Sequence, residues 1–269
     1  MVPATSFPRL LAIGGAEDKE GERAILREFV RLAGGQDACI VIIPSASETP
    51  EVVGELYQHI FQQLGASEVT VLTIAARDDA RNEAAMRQVE RATGTFFTGG
   101  DQLRIMNRLG GTGVDTMLHR RCAEGMVVGG TSAGAAVMSS TMIVEGETRS
   151  PRAGAVRTGP GLELLPGVII DQHFAQRGRI GRLLSVIGLF PHYLGVGIDE
   201  DTAIAVEGHR ATVIGSGAVT IVDAGCASFN DAVDTGPGGC ITLSGVTLHS
   251  LPHGRSFDLL ERRPIIAAD

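Results

Sequence analysis

Short apolar runs alternate with longer amphipathic segments through the first two-thirds of the chain: residues 10–13 before 23–32, 39–43 before 51–64, and 69–74 before 83–91. The short runs have the length of buried strands. The longer ones repeat apolar residues at the spacing that gives a helix one greasy face. Strand-like and helix-like segments in strict alternation predict βαβ units and hence a parallel sheet flanked by helices. Residues 95–98, 126–128 and 168–171 continue the series, and each run ends in polar or glycine-rich residues. Those turns belong at the C-terminal edge of the sheet, where open parallel sheets bind ligands. From Val196 the pattern changes to short β-like runs separated by glycines, at 203–206, 212–214, 219–222 and 241–243. These predict antiparallel strands added to the same unit. No linker, repeat or low-complexity tract interrupts the chain. The expected fold is therefore α/β, a single domain over residues 1–269 with a mostly parallel central sheet and added C-terminal antiparallel strands. The glycine, proline and arginine residues after Glu145, through Gly161, predict a long surface loop.

Composition narrows the class without naming a function. With 43% hydrophobic and 20% charged residues in 269, the chain can bury one large core or two modest ones. No apolar stretch approaches the roughly 20 residues of a membrane span. Residues 1–9 lack the charged and apolar regions of a signal peptide, so a cytoplasmic location is expected. A formal charge of −8 argues against nonspecific binding to nucleic acid or anionic lipid. Cys39, Cys122, Cys226 and Cys240 form no C-x-x-C pair and are expected as buried thiols, with neither disulfide nor metal.

The most informative local feature is Gly130-Thr131-Ser132-Ala133-Gly134, directly behind the apolar run Met126-Val127-Val128. A strand turning sharply into a helix with a serine at its apex is a nucleophile elbow. The flanking glycines leave room for so tight a turn, and the N–H of Ala133 points to where an oxyanion would form. A serine hydroxyl needs a base. Of the seven histidines, His59 and His119 fall on predicted helices, His209, His249 and His253 lie in the late β region, and His192 follows a proline. His173 instead emerges just past the run 168–171, at the same edge as Ser132, and is the preferred base. Asp171, Asp199, Glu200 and Asp201 are the carboxylates able to orient it, and the triplet 199–201 stays unresolved at this level. Gly99-Gly100, after the run 95–98, offers bare N–H groups for a second oxyanion donor, or merely an easy βα turn. Arg177, Arg179 and Arg182 cluster beyond His173, suited to holding carboxylates or simply solvated.

Taken together, Ile13-Gly14-Gly15-Ala16-Glu17-Asp18-Lys19, Phe97-Thr98-Gly99-Gly100-Asp101-Gln102, the elbow, Asp171-Gln172-His173-Phe174 and Gly197-Ile198-Asp199-Glu200-Asp201-Thr202-Ala203 resemble the cyanophycinase family. That family comprises serine exopeptidases related to aspartyl dipeptidases and to the class I glutamine amidotransferase-like, flavodoxin-like fold. The resemblance implies Ser132 as nucleophile, His173 as base and Glu200 as its carboxylate. It places Gly99, Gly100 and Ala133 around the oxyanion, and Gln102, Asp171, Gln172, Arg177, Arg179 and Arg182 along the substrate pocket. It further implies no cofactor, a homodimer, and release of β-Asp-Arg dipeptides from cyanophycin, a poly-aspartate carrying arginine on each β-carboxylate. Asp171 would then meet a substrate guanidinium, and the arginines its carboxylates. An aspartyl dipeptidase acting on short peptides and a non-catalytic peptide-binding relative are the alternatives. A nucleotide site at Gly14-Gly15 is disfavoured, since no G-x-G-x-x-G follows the first strand.

Overall fold

In a computed structural model, residues 8–146 and 148–266 are described. The first five strands are β1 (Leu10–Ile13), β2 (Cys39–Ile43), β3 (Glu68–Val71), β4 (Gly94–Phe97) and β5 (Val127–Thr131). They pair parallel in the order β1-β5-β4-β2-β3, as the alternating pattern predicts. β1, β4 and β5 are buried on both faces and β2 nearly so, while β3 is a partly exposed edge; successive residues of a buried strand serve opposite cores. In β1, Leu11 and Ile13 face one way, toward α1 (Ala24–Leu32) and α2 (Pro50–Gln63), where Phe29, Phe61 and Phe96 stack with centroids 5.1–5.3 Å apart. Leu10 and Ala12 face the other side. There lie α3 (Glu83–Arg91), α4 (Gln102–Leu109), α5 (Gly113–Ala123) and the short α6 (Ala133–Ala136).

The chain then leaves this sheet. A hairpin of β6 (Thr141–Glu145) and β7 (Arg157–Pro160) replaces the ends of the expected surface loop, and its connection is pinned down. Ala153 is buried, the N–H of Arg152 donates to Ser185 Oγ at 3.0 Å, the N–H of Ala153 donates to the carbonyl of Gly239, and the N–H of Gly238 donates to the carbonyl of Ala153. Next come β8 (Val168–Asp171), α7 (Ile180–Leu189) and β9 (Leu194–Ile198). Here the sequence expectation needs correction: β8 does not extend the main sheet. It pairs parallel with β9 in a second sheet. The edge beside β1 is not open to it. The free side of β1 is taken by antiparallel β10 (Thr202–Glu207), followed by β11 (Arg210–Gly215). The second sheet is completed by β12 (Ala218–Asp223), which pairs with β9, and later by a strand at Thr247–Pro252.

Beyond β12 the glycine-rich chain forms little regular structure. The expected strand at 241–243 reduces to a two-residue ladder, β13 (Phe229–Asn230) against β14 (Leu243–Ser244). With β15 being the strand at Thr247–Pro252, β16 (Ser256–Asp258) and β17 (Arg263–Ile265) return to the main sheet. Among the described residues it thus has nine strands, in the order β17-β16-β11-β10-β1-β5-β4-β2-β3. The two sheets share one core, in which Val168, Ile170, Val196 and Ile198 pack with Leu10, Val41 and Val128. Helix α7 covers the outer face of the second sheet through Leu183, Val186 and Ile187. Cys122 is buried, whereas Cys226 and Cys240, expected inside, are exposed in the glycine-rich turns. Among the described residues no helix is long and apolar enough to cross a membrane.

Candidate active site

The C-terminal ends of β1, β4, β5, β8 and β9 converge. Ser132 sits at the apex between β5 and α6 with φ 54° and ψ −109°, in a region L-residues seldom occupy. Its N–H donates to the carbonyl of Ile13 at 2.9 Å, which ties the apex to the end of β1. The glycines around it are sterically required. A Cβ on Gly130 would lie 2.4 Å from the carbonyl oxygen of Gly134, and one on Gly134 would lie 2.4 Å from that of Phe97.

His173, two residues past β8, reaches the same point from the second sheet. Its Nε2 is 2.9 Å from Ser132 Oγ, and its Nδ1 is 2.7 Å from Glu200 Oε1 in the β9–β10 turn. A carboxylate only accepts, so Nδ1 carries the proton and donates to Glu200. Nε2 is left to accept from the serine hydroxyl. Burial holds the imidazole pKa below its ordinary value of 6.5. The hydrogen bond to Glu200 opposes this, while the charges of Arg177 and Arg179 reinforce it. A histidine that is neutral near pH 7 can take a proton. Gln176 Oε1 accepts the N–H of Glu200 at 3.0 Å and fixes the turn behind it.

The acidic triplet divides by task. Asp199 accepts the N–H groups of Ala175 and Ala218, and Asp201 accepts the N–H of Asp18 and the hydroxyl of Ser216. Only Glu200 faces the imidazole. Gly99 packs against Ser132, since a Cβ built on it would lie 3.5 Å from Ser132 Cβ. Among the described residues, the N–H groups of Gly99, Gly100 and Ala133 donate to no protein acceptor.

The segment that follows His173 lines a cavity of about 360 Å³, formed by Thr148, Arg149, Arg177, Gly178, Arg179 and Arg182. Asp171 does not face this cavity as a free carboxylate. It is buried and meets guanidinium groups of the protein itself, Arg182 through both oxygens and Arg179 at 3.4 Å. Burial pushes its carboxyl above the ordinary range, opposed by the hydrogen bonds and charge of Arg182 and by the charges of Arg179 and Arg177. Gln172 accepts from Arg179 through its side-chain and backbone oxygens. Asp171 and Gln172 therefore organise the arginines. Gln102 braces the β6 arm, its Nε2 donating to the carbonyls of Ile143 and Val144 at 3.0 and 2.9 Å.

Gly14-Gly15 does more here than the sequence suggested. The carbonyl of Gly14 accepts the N–H of His173 at 2.8 Å, and that of Gly15 accepts the N–H of Asp201 at 2.9 Å. At φ 101° Gly15 lies so close to the imidazole that a Cβ would fall 2.3 Å from Cε1. The signal was the double glycine itself, placed after a strand of the active edge.

A serine, histidine and carboxylate in hydrogen-bonded line at a strand-to-helix elbow form the constellation of a serine hydrolase. Residues 10–214 match the model of Peptidase family S51, and the chain belongs to that family of serine peptidases. It is 42% identical over 253 residues to a cyanophycinase of Synechococcus elongatus, covering 93% of this chain and 79% of that one. A cyanophycinase of Geminocystis herdmanii is 41% identical over 259 residues, 95% of each chain. In fold, the chain is similar to a peptidase from an acI-B1 Actinobacterium, with a TM-score of 0.69, 21% identity, and coverage of 95% of this chain and 98% of that one.

Proposed function

We propose that this chain is a metal-free serine exopeptidase that hydrolyses cyanophycin to β-Asp-Arg dipeptides. The observation that carries it is the line Ser132 Oγ, His173 Nε2, His173 Nδ1, Glu200 Oε1, at 2.9 and 2.7 Å, beside a cavity lined with arginines. Identity of 41–42% with cyanophycinases over most of the chain supports the substrate. Ser132 Oγ attacks the scissile carbonyl carbon as its proton passes to His173 Nε2. The N–H groups of Ala133, Gly99 and Gly100 hold the oxyanion. The imidazolium, steadied by Glu200, protonates the leaving amine as the C–N bond breaks. Water then attacks the acyl-enzyme, giving its proton to His173, and Ser132 leaves with that proton. Arg177, Arg179 and Arg182 bind substrate carboxylates, and Asp171 and Gln172 hold those arginines in place.

A single domain, a homodimer and a cytoplasmic location belong to the same proposal. The first is supported by β16 and β17, which return the C-terminal segment to the sheet that β1 begins. Sedimentation equilibrium tests the second. The reaction is tested by incubating the protein and its Ser132→Ala variant with cyanophycin and following soluble products by mass spectrometry. β-Asp-Arg released by the parent alone supports the proposal. A parent that cleaves short aspartyl peptides and leaves the polymer intact is a dipeptidase, and inactivity on both fits a binding protein.

A further inference from the structure

Beneath the elbow lies a buried carboxylate to which the reaction scheme gives no task. Glu17 is 3% exposed and follows the Gly14-Gly15 turn at the end of β1. Its Oε2 accepts the Thr131 hydroxyl at 2.6 Å, and Thr131 is the residue immediately before Ser132. Its Oε1 accepts the Tyr57 hydroxyl of α2 and faces Lys19 Nζ at 2.9 Å. Burying a carboxylate is unfavourable unless its charge is met, and here three side chains each supply a donor, from β5, from α2 and from Glu17's own loop. Burial, reinforced by the adjacent charge of Glu17, pushes the Tyr57 phenol well above its ordinary range, so it stays a donor.

The position of this carboxylate matters because the elbow is strained. A serine at φ 54° and ψ −109° keeps that conformation only where its surroundings over-determine it. The nucleophile must nonetheless be held to within about 0.5 Å of its productive position against its base. Residues 14–17 touch both partners. The main chain at Gly14 and Gly15 seats His173, while the side chain of Glu17 grips Thr131, the last residue of β5 and the one immediately before Ser132. We propose that Glu17 is a positioning residue, setting the Ser132 Oγ to His173 Nε2 geometry by anchoring Thr131, with Tyr57 and Lys19 holding its carboxylate in place. This rests on Ser132 as nucleophile and His173 as base.

The test compares the parent, Glu17→Gln, Thr131→Val and Thr131→Ser by the rate of labelling with a fluorophosphonate, by kcat and KM on cyanophycin, by pH profile and by Tm. Glu17→Gln and Thr131→Val are each expected to slow labelling and lower kcat together by about tenfold, with KM within about twofold of the parent. The pH limb set by His173 is expected to stay in place. Thr131→Ser, which retains the hydroxyl, regains most of the loss seen in Thr131→Val. The double variant loses little more than the worse single one, as members of one network do. Thr131→Val removes a single hydrogen bond and carries the test where Glu17→Gln does not fold. Unchanged labelling and kcat with only Tm lowered would make Glu17 structural and overturn the inference, as would a raised KM alone or a displaced pH limb. A parent that is not labelled at Ser132 overturns the underlying assignment instead.

Discussion

Ser132 and the arginine cluster lie at one active edge, yet they are held in different ways. At Ser132 the constraints are largely main-chain: the carbonyl of Ile13, the Gly130 and Gly134 contacts, and the neighbouring Gly99. Around Arg179 and Arg182 they are side-chain ion pairs and hydrogen bonds, with Asp171 wholly buried between guanidinium groups and Gln172 beside them. The difference suits the two tasks proposed for these regions. Bond formation needs an atom fixed against another, which strand ends and glycine contacts provide. Recognition of a charged substrate needs oriented charge in a partly dry cavity, which buried ion pairs provide. His173 belongs to both regions, since it touches Ser132 while its charge state responds to Arg177 and Arg179.

Substitutions on the two sides should therefore fail differently. Ser132→Ala should cost on the order of 10⁴-fold or more in kcat/KM while leaving Tm near that of the parent, read by product release and thermal melting. Glu200→Gln should lose roughly 10²–10⁴-fold in rate, less than Ser132→Ala. Because the Glu200 hydrogen bond raises the His173 pKa, its loss should also move the ascending limb of the pH–rate profile to lower pH. Arg182→Met leaves Asp171 buried without its main partner, and should lower stability by about 3–5 kcal/mol in denaturant unfolding, together with a raised KM. Met in place of Arg at Ser132's side of the edge has no counterpart, so a Tm loss confined to the arginine side sharpens the contrast. Arg177→Gln should have the smallest effect: a modest rise in KM and an ascending limb displaced to higher pH. The sign follows because the Arg177 charge disfavours protonated His173, and removing it makes protonation easier.

The same contrast explains what the sequence made legible. The elbow is local: its glycines, its serine and the preceding apolar strand are contiguous, so turn chemistry alone locates Ser132. The five parallel strands were equally visible, because buried strands and amphipathic helices alternate over short distances. The second sheet was not. Residues 168–171 have the apolar run of any parallel strand, and only the occupied edge of β1 decides that they pair with β9 instead. His173 was nonetheless placed at the right edge, because β8 also ends there. The triplet Asp199-Glu200-Asp201 could not be sorted by spacing, since its three members differ only in which N–H or ring nitrogen lies opposite them. Asp171 was read as a partner for substrate because nothing in its local sequence shows that Arg182, eleven residues on, closes over it.

The central claim is that Ser132, on one sheet, is activated by His173 and Glu200 from the β8–β9 side. Mass-spectrometric mapping of the covalent fluorophosphonate adduct, in the parent and in His173→Ala, tests it most directly. The account predicts an adduct on Ser132 of the parent and labelling at least about a hundredfold slower in His173→Ala. An adduct on another residue, or equal labelling of Ser132 without the histidine, would contradict it.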